Sequence, residues 1–299
     1  MEDRIGASQM NQLRDNLKLM GLSPNHIFQQ VKDAIAEDLA GGEDVTSNAT
    51  ISDSQVSTAD FISKTDGVVS GLHVVAAVLE YCGVNNYEVL VDEGMQVKSG
   101  KVLITTQGNT KKLLLAERTA LNFLSHLSGI STLTNKWVMQ TAGTKCKIRD
   151  TRKTTPGLRQ LEKFAVKMGG GENHRLSLSH SVLLKDNHIV AAGSITKAFK
   201  LIKEKYPTKE LEIEVDNLDQ LSEVILLQPN LVLLDNMSVD ECQKAVEIVK
   251  GKFQLEASGG LTLENAKAYA QTGVDYLAVG ALTHSAPAFD IGLDFRKGK

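Results

Sequence analysis

The chain has 299 residues, 42% of them hydrophobic and 23% charged, with a formal net charge of −3. That balance supports a sizeable core and excludes a disordered chain, while the small net charge argues against a nucleic-acid or anionic-membrane partner. No apolar run approaches the roughly 20 residues needed to span a bilayer, so no membrane partner is expected.

Taken in chain order, the first twenty residues are polar and mixed in charge, without a signal-peptide core. Residues 43–108 hold short apolar runs, at 59–64, 67–71, 87–91 and 102–106, divided by turn signals and interrupted by a helical stretch over 73–82. This pattern predicts a separate α+β domain. Glu93 to Gly100 resembles the turn of a lipoyl or biotinyl barrel, but no modifiable lysine follows in the partner turn, so it reads only as a hairpin. A helical run over 113–127 links this region to the next. Cys82, Cys146 and Cys242 are far apart and odd in number. They point to reduced thiols in a cytoplasmic protein, and none sits at zinc-site spacing with a histidine.

The second half alternates strands with helices. Apolar runs end at residues 147–150, 182–185, 211–215, 231–235, 253–257 and 276–279, and helical spacing fills 195–206, 238–250 and 262–272. Strands and helices repeating at about 20 to 25 residues per unit indicate βα units and a parallel sheet. Six units fit a barrel better than an open doubly wound sheet, and no GxGxxG follows a strand to suggest a dinucleotide fold. In a parallel barrel, functional groups sit at the C-terminal ends of strands. Those ends here carry Arg152 and Lys153, then Lys185, Glu214, Asp235, Ser258-Gly259-Gly260 and Gly280.

The charge is unevenly spread. From Lys145 to Arg175 there are nine Lys and Arg against three acids, a local +6 that leaves −9 for the rest of a chain of net −3. Asp150-Thr151-Arg152-Lys153-Thr154-Thr155-Pro156-Gly157 packs cations and hydroxyls after a strand, which suits an anion cradle better than a bare surface loop. In Gly169-Gly170-Gly171-Glu172-Asn173-His174-Arg175, glycines that permit close backbone approach precede two donors. Glu214 and Asp235 end successive strands. They suit Mg2+, held directly or through water, or ribose hydroxyls, and equally an ion pair with Lys185. Ser258-Gly259-Gly260 and Val279-Gly280-Ala281 fit either phosphate-binding turns or ordinary strand-to-helix turns.

Several runs closely resemble quinolinate phosphoribosyltransferase. They are Ala116 to Leu124, Asp150 to Arg159, Gly169 to Arg175, Lys185-Asp186-Asn187-His188, Leu234-Asp235-Asn236-Met237, Glu256 to Gly260 and Gly280 to Ser285. The likeness runs from about residue 26 to the end and departs from the family's pattern at His180, where an acid is common. It implies an N-terminal α/β sandwich domain over 1–122, an open α/β barrel of about seven strands over 123–286, and a tail, 287–299, that packs back on the first domain. It also implies transfer of phosphoribosyl from phosphoribosyl pyrophosphate to quinolinate with loss of CO2, Mg2+ as cofactor, and a homodimer with shared sites.

By that match, Arg118 would reach into the neighbouring subunit's site. Thr151, Arg152, Lys153, His174 and Arg175 would bind quinolinate with Lys185 beside them. Glu214 and Asp235 would face the ribose and Mg2+, and Ser258, Gly259, Gly260, Val279, Gly280 and Ala281 the 5′-phosphate. Lys153, Lys185, Glu214 and Asp235 are the expected catalytic set. The competing readings are a Schiff-base lyase using Lys185 or Lys153, a phosphometabolite-binding protein without turnover, and a transferase acting on nicotinate. The paired acids disfavour a mere binder, and the number of cations favours a dicarboxylate.

Overall fold

The computed structural model describes residues 2–297. Two compact units emerge, one holding the chain up to Leu133, Gln160–Gly169 and the chain from Ala286 on, the other Thr134–Arg159 and Gly170–Ser285.

The first unit opens with helices α1 (Glu2–Leu19), α2 (Pro24–Leu39) and α3 (Val45–Thr50). Helix α2 starts where Ser23 Oγ accepts from His26 N, has Pro24 in its first turn, and buries Ile27, Val31 and Ile35 along one stripe. Strands β1 (Val56–Ser63) and β2 (Gly67–Val68) follow, then α4 (Leu72–Tyr81), whose residues from Leu72 to Glu80 are buried except His73. Next come β3 (Asn86–Val89), β4 (Gln96–Val97), β5 (Val102–Asn109) and the 31-residue helix α5 (Thr110–Gln140).

The turn read as a hairpin is a different structure. Strand β3 pairs with β5, and the chain between them makes an excursion in which β4 pairs with β2. The reason is Glu93: its carboxylate accepts from Gly71 N at 2.8 Å and His73 N at 3.1 Å, capping the start of α4 from a distance.

The second unit is built on β6 (Lys147–Arg149); α6 (Arg159–Met168), next in sequence, belongs to the first unit from Gln160 on. Then come β7 (Val182–Leu184), α7 (Asp186–Ala192), α8 (Ile195–Lys205), β8 (Leu211–Val215), α9 (Leu218–Ile225), β9 (Leu231–Asp235), α10 (Val239–Val249), β10 (Gln254–Ser258), α11 (Leu263–Gln271), β11 (Tyr276–Ala278) and α12 (Ala281–His284). The last strand, β12 (Ile291–Phe295), pairs antiparallel with β1 in a sheet ordered β12-β1-β5-β3, within the first unit.

The parallel sheet runs β6-β11-β10-β9-β8-β7, six strands where the resemblance implies about seven. The seventh place, beside β6, is taken by one residue. Glu172 bridges Arg149, with Glu172 N donating to Ile148 O at 2.8 Å and Asp150 N to Glu172 O at 3.2 Å. Every residue of β8 is buried, as expected of a strand covered on both faces. Caps begin the helices that return the chain: Asn217 for α9, Ser238 with Glu241 for α10, and Thr262 for α11. Among the described residues no helix is long and apolar enough to cross a membrane.

Candidate active site

Strand register brings the C-terminal tips to one rim. Ser258 aligns with Asp235 and with Ala278, Ala278 aligns with Arg149, and Lys185 follows directly on β7, whose Leu184 pairs with Ile213 of β8. This rim encloses a cavity of about 520 Å3. Its walls include Thr151, Arg152, Lys153, His174, Arg175, Lys185, Glu214, Asp235, Ser258, Gly259, Gly260, Val279, Gly280 and Ala281. Of the residues singled out from sequence, Arg118 alone is not in these walls; it stands exposed on α5 of the first unit.

One side of the cavity is acidic and glycine-rich. Lys185 Nζ donates to Glu214 Oε2 across β7 and β8. Asp235 Oδ2 accepts from Asn236 Nδ2 at 2.7 Å, with Asn236 at φ 54°. Gly259 lies against that asparagine at φ +84°, where a Cβ would meet Asn236 Oδ1 at 2.1 Å, so only glycine fits. The turn after β11 is tied to the loop after β6, since Thr283 Oγ1 donates to Lys153 O at 2.7 Å.

The other side is cationic. Thr151 Oγ1 accepts from Lys153 N at 3.0 Å, which folds the loop that presents Arg152 and Lys153. Arg175 Nη1 donates to Ser181 O at 3.2 Å. Burial, and then the neighbouring Arg152 charge, lower the Arg175 pKa. The Nε atoms of Arg152 and Arg175 are both buried without a hydrogen-bond partner among the described residues. Two guanidiniums held together with unmet donors make a receptor for an anion with more than one acceptor.

Beneath the rim lies a charged layer not anticipated from sequence. His174 N donates to Asp150 Oδ1 at 2.9 Å, and His174 Nε2 is 2.6 Å from Glu212 Oε2 and 3.8 Å from Glu256 Oε1. Arg149 Nη1 donates to Glu256 Oε2 at 3.1 Å, and its guanidinium stacks 3.7 Å from the centroid of the Tyr276 ring. Burial pushes the Glu212 and Glu256 carboxyls each up to about 7, and for Glu256 the Glu212 charge adds to the effect. The ligating atoms of His174, Glu212 and Glu256 lie within 4.8 Å of one another, as a metal would require. The Arg149 guanidinium already supplies a positive charge there. A signal for this layer was available. In Leu211-Glu212-Ile213-Glu214-Val215 the acids alternate, so Glu212 must face the same way as Glu214, one layer deeper.

The chain matches the family models of the quinolinate phosphoribosyl transferase N-terminal domain over residues 44–128 and C-terminal domain over residues 130–294. It is 49% identical over 270 residues to a carboxylating nicotinate-nucleotide pyrophosphorylase of Mycobacterium leprae, covering 88% of this chain and 95% of the relative. It is 38% identical over 291 residues to a decarboxylating quinolinate phosphoribosyltransferase of Nicotiana tabacum, covering 90% and 82%. Among solved structures, the nicotinate-nucleotide pyrophosphorylase of Ehrlichia chaffeensis superposes with a TM-score of 0.86 at 38% identity, covering 90% of this chain and 98% of the other.

Proposed function

The chain belongs to the quinolinate phosphoribosyltransferase family, and on that premise we propose how its cavity works. It transfers phosphoribosyl from phosphoribosyl pyrophosphate to the ring nitrogen of quinolinate and releases CO2, giving nicotinate mononucleotide for de novo NAD synthesis. Arg152, Lys153, His174 and Arg175 take the two carboxylates, with Thr151 shaping the loop. Lys185 stands beside them, joined to Glu214, and Glu214 and Asp235 face the ribose. The turns Ser258-Gly259-Gly260 and Val279-Gly280-Ala281 take the 5′-phosphate through backbone N–H groups. The observation that carries this assignment is one cavity of about 520 Å3 with paired guanidiniums on one wall and carboxylates beside glycine turns on the other.

The ring nitrogen is itself the nucleophile, so the protein needs no activated serine or cysteine. Its work is to hold that nitrogen in line with the anomeric carbon and to stabilise charge as the pyrophosphate departs. Lys185 and Lys153 supply fixed positive charge at that stage. Once N-ribosylated, the pyridinium ring accepts the electron pair left when the bond to the 2-carboxylate breaks. A proton then replaces CO2 at that carbon.

Mg2+ fits the donor set. Glu214 and Asp235 offer two carboxylates beside open volume, which matches an ion bound mainly by water and substrate oxygens rather than by a protein cage. Bound there, Mg2+ would neutralise charge on the leaving pyrophosphate. A homodimer is proposed from the family resemblance, with Arg118, exposed on α5, as the residue lent to the partner's site. A cytoplasmic setting is supported by three unpaired thiols, all buried. Their burial pushes Cys82 up to about 11 and Cys146 and Cys242 up to about 12.

Purified protein given Mg2+, quinolinate and phosphoribosyl pyrophosphate should form nicotinate mononucleotide, pyrophosphate and CO2. Nicotinate in place of quinolinate should give no product. Equal turnover of nicotinate would overturn the role given to the paired guanidiniums.

A further inference from the structure

We propose that Glu212 is the positioning residue for His174, setting which edge of the imidazole faces the substrate's carboxylates. The inference rests on the reading above, in which His174 contacts quinolinate, and adds a layer that reading does not use.

Packing alone does not fix this ring. His174 lines the upper cavity of about 520 Å3 and also a second cavity of about 340 Å3 that opens at the other end of the strands, among Glu210, Asn230 and Gln254. A side chain with open volume on two sides keeps one rotamer only if hydrogen bonds hold it. The backbone N of His174 is held by Asp150 at 2.9 Å, which places the main chain but not the ring. The ring itself is held at Nε2, 2.6 Å from Glu212 Oε2.

The anchor is itself rigid. Glu212 sits on β8, whose residues are all buried. Glu256 stands beside the same ring nitrogen and is held by Arg149, which is stacked on Tyr276. An acid buried this deeply is costly unless it is paired, and its hydrogen-bond partner here is the His174 ring. Unlike the groups assigned to substrate, Glu212 lines the lower cavity and not the upper one. Of the substrate-facing groups that line both cavities, His174 and Arg175, it is His174 that Glu212 meets at hydrogen-bond distance.

The test compares Glu212→Leu, which removes the acceptor at similar volume, with Glu212→Gln, which keeps an acceptor without charge. Steady-state constants for both substrates are read alongside the 15N signals of the His174 ring. Glu212→Leu should raise the quinolinate KM about tenfold or more, leave the phosphoribosyl pyrophosphate KM within about twofold, and shift the ring signals. Glu212→Gln should restore both the KM and the signals most of the way. An unchanged quinolinate KM in Glu212→Leu, or an equal rise in both KM values, would overturn the proposal. If the leucine variant does not fold, Glu212→Ala reads the same split, since Glu212 borders the lower cavity and its shortening leaves no closed void. Absence of turnover in the wild type is a separate result and would overturn the proposed function along with this inference.

Discussion

Lys185, the first residue past β7, and Glu214, on the neighbouring strand β8, are joined ammonium to carboxylate at the cavity wall. Glu214 is buried and Lys185 half-exposed, so the pair is asymmetric. Removing the lysine leaves a buried carboxylate without its cation, whereas removing the acid leaves an ammonium that solvent can reach. Lys185→Ala should lower kcat/KM by about 100- to 1000-fold. Glu214→Gln should lower it too, and the double variant should lose less than the product of the two separate losses, because the groups act as one unit. Independent, multiplying losses in a double-mutant cycle would show that the contact is not part of the working site.

The glycine turn after β10 separates space from conformation. At Gly259 a Cβ would meet Asn236 Oδ1 at 2.1 Å and Cγ at 2.6 Å, at φ +84°. At Gly260 the backbone is also left-handed, φ +60°, but nothing lies within 4 Å. Gly260→Ala should therefore cost about 1 kcal/mol of stability from backbone preference alone. Gly259→Ala should cost more and should also raise the phosphoribosyl pyrophosphate KM, because it pushes Asn236 and with it Asp235. Thermal melts and KM values for both variants check this, and equal effects at the two sites would contradict it.

The buried carboxyl of Glu256 predicts a pH dependence of stability. Its pKa is raised from 4.5 to about 7, first by burial and then by the Glu212 charge. A carboxyl whose pKa is raised on folding binds its proton more tightly in the folded chain. Its stabilising contribution is complete below about 4.5 and is lost as pH rises through about 7. Glu256→Gln mimics the protonated form at every pH. The stability difference between wild type and Glu256→Gln should therefore move in the variant's favour between pH 5 and 7, at no more than about 1.4 kcal/mol per pH unit, and then level off. Parallel denaturation curves at four or five pH values measure it; a constant difference would mean that the carboxyl does not titrate in this window.

The barrel was legible because its central strands, β8 and β9, are buried on both faces and so read as short apolar runs with an acid at or near the tip. The same property hid the lower layer. Glu212 and Glu256 stand in mid-strand with apolar residues on either side, whereas Glu214 and Ser258 mark the strand tips, where functional groups are expected. Helix α1 was not legible because a polar, mixed-charge segment lacks a clear apolar stripe; only Leu13 and Leu17, four residues apart, are buried in its described part. The Glu93 turn misled for another reason. Local sequence suggests a hairpin, but the carboxylate's partners, Gly71 and His73, lie some twenty residues earlier. The cationic wall was legible as a charge excess, although that Arg152 and Arg175 share it depends on Glu172 closing against β6.

Arg118 gives the sharpest prediction about assembly. It is exposed on α5, two residues beyond buried Ala116 and directly before buried Thr119, so its side chain points away from the core of its own unit. If it completes the site of a second copy, Arg118→Ala should abolish turnover while leaving the melting temperature nearly unchanged, since exposed substitutions move stability by only about 0.5 kcal/mol. Arg118→Ala and Lys185→Ala proteins, each at a small residue of wild-type activity or none alone, should regain activity when mixed and allowed to exchange subunits. A mixed dimer places both defects in one site and leaves the other intact, so random pairing restores about a quarter of wild-type activity, half the dimers carrying one good site of two. Full exchange with no recovery would place Arg118 in the site of its own chain, and a fully active Arg118→Ala protein would remove it from the site altogether.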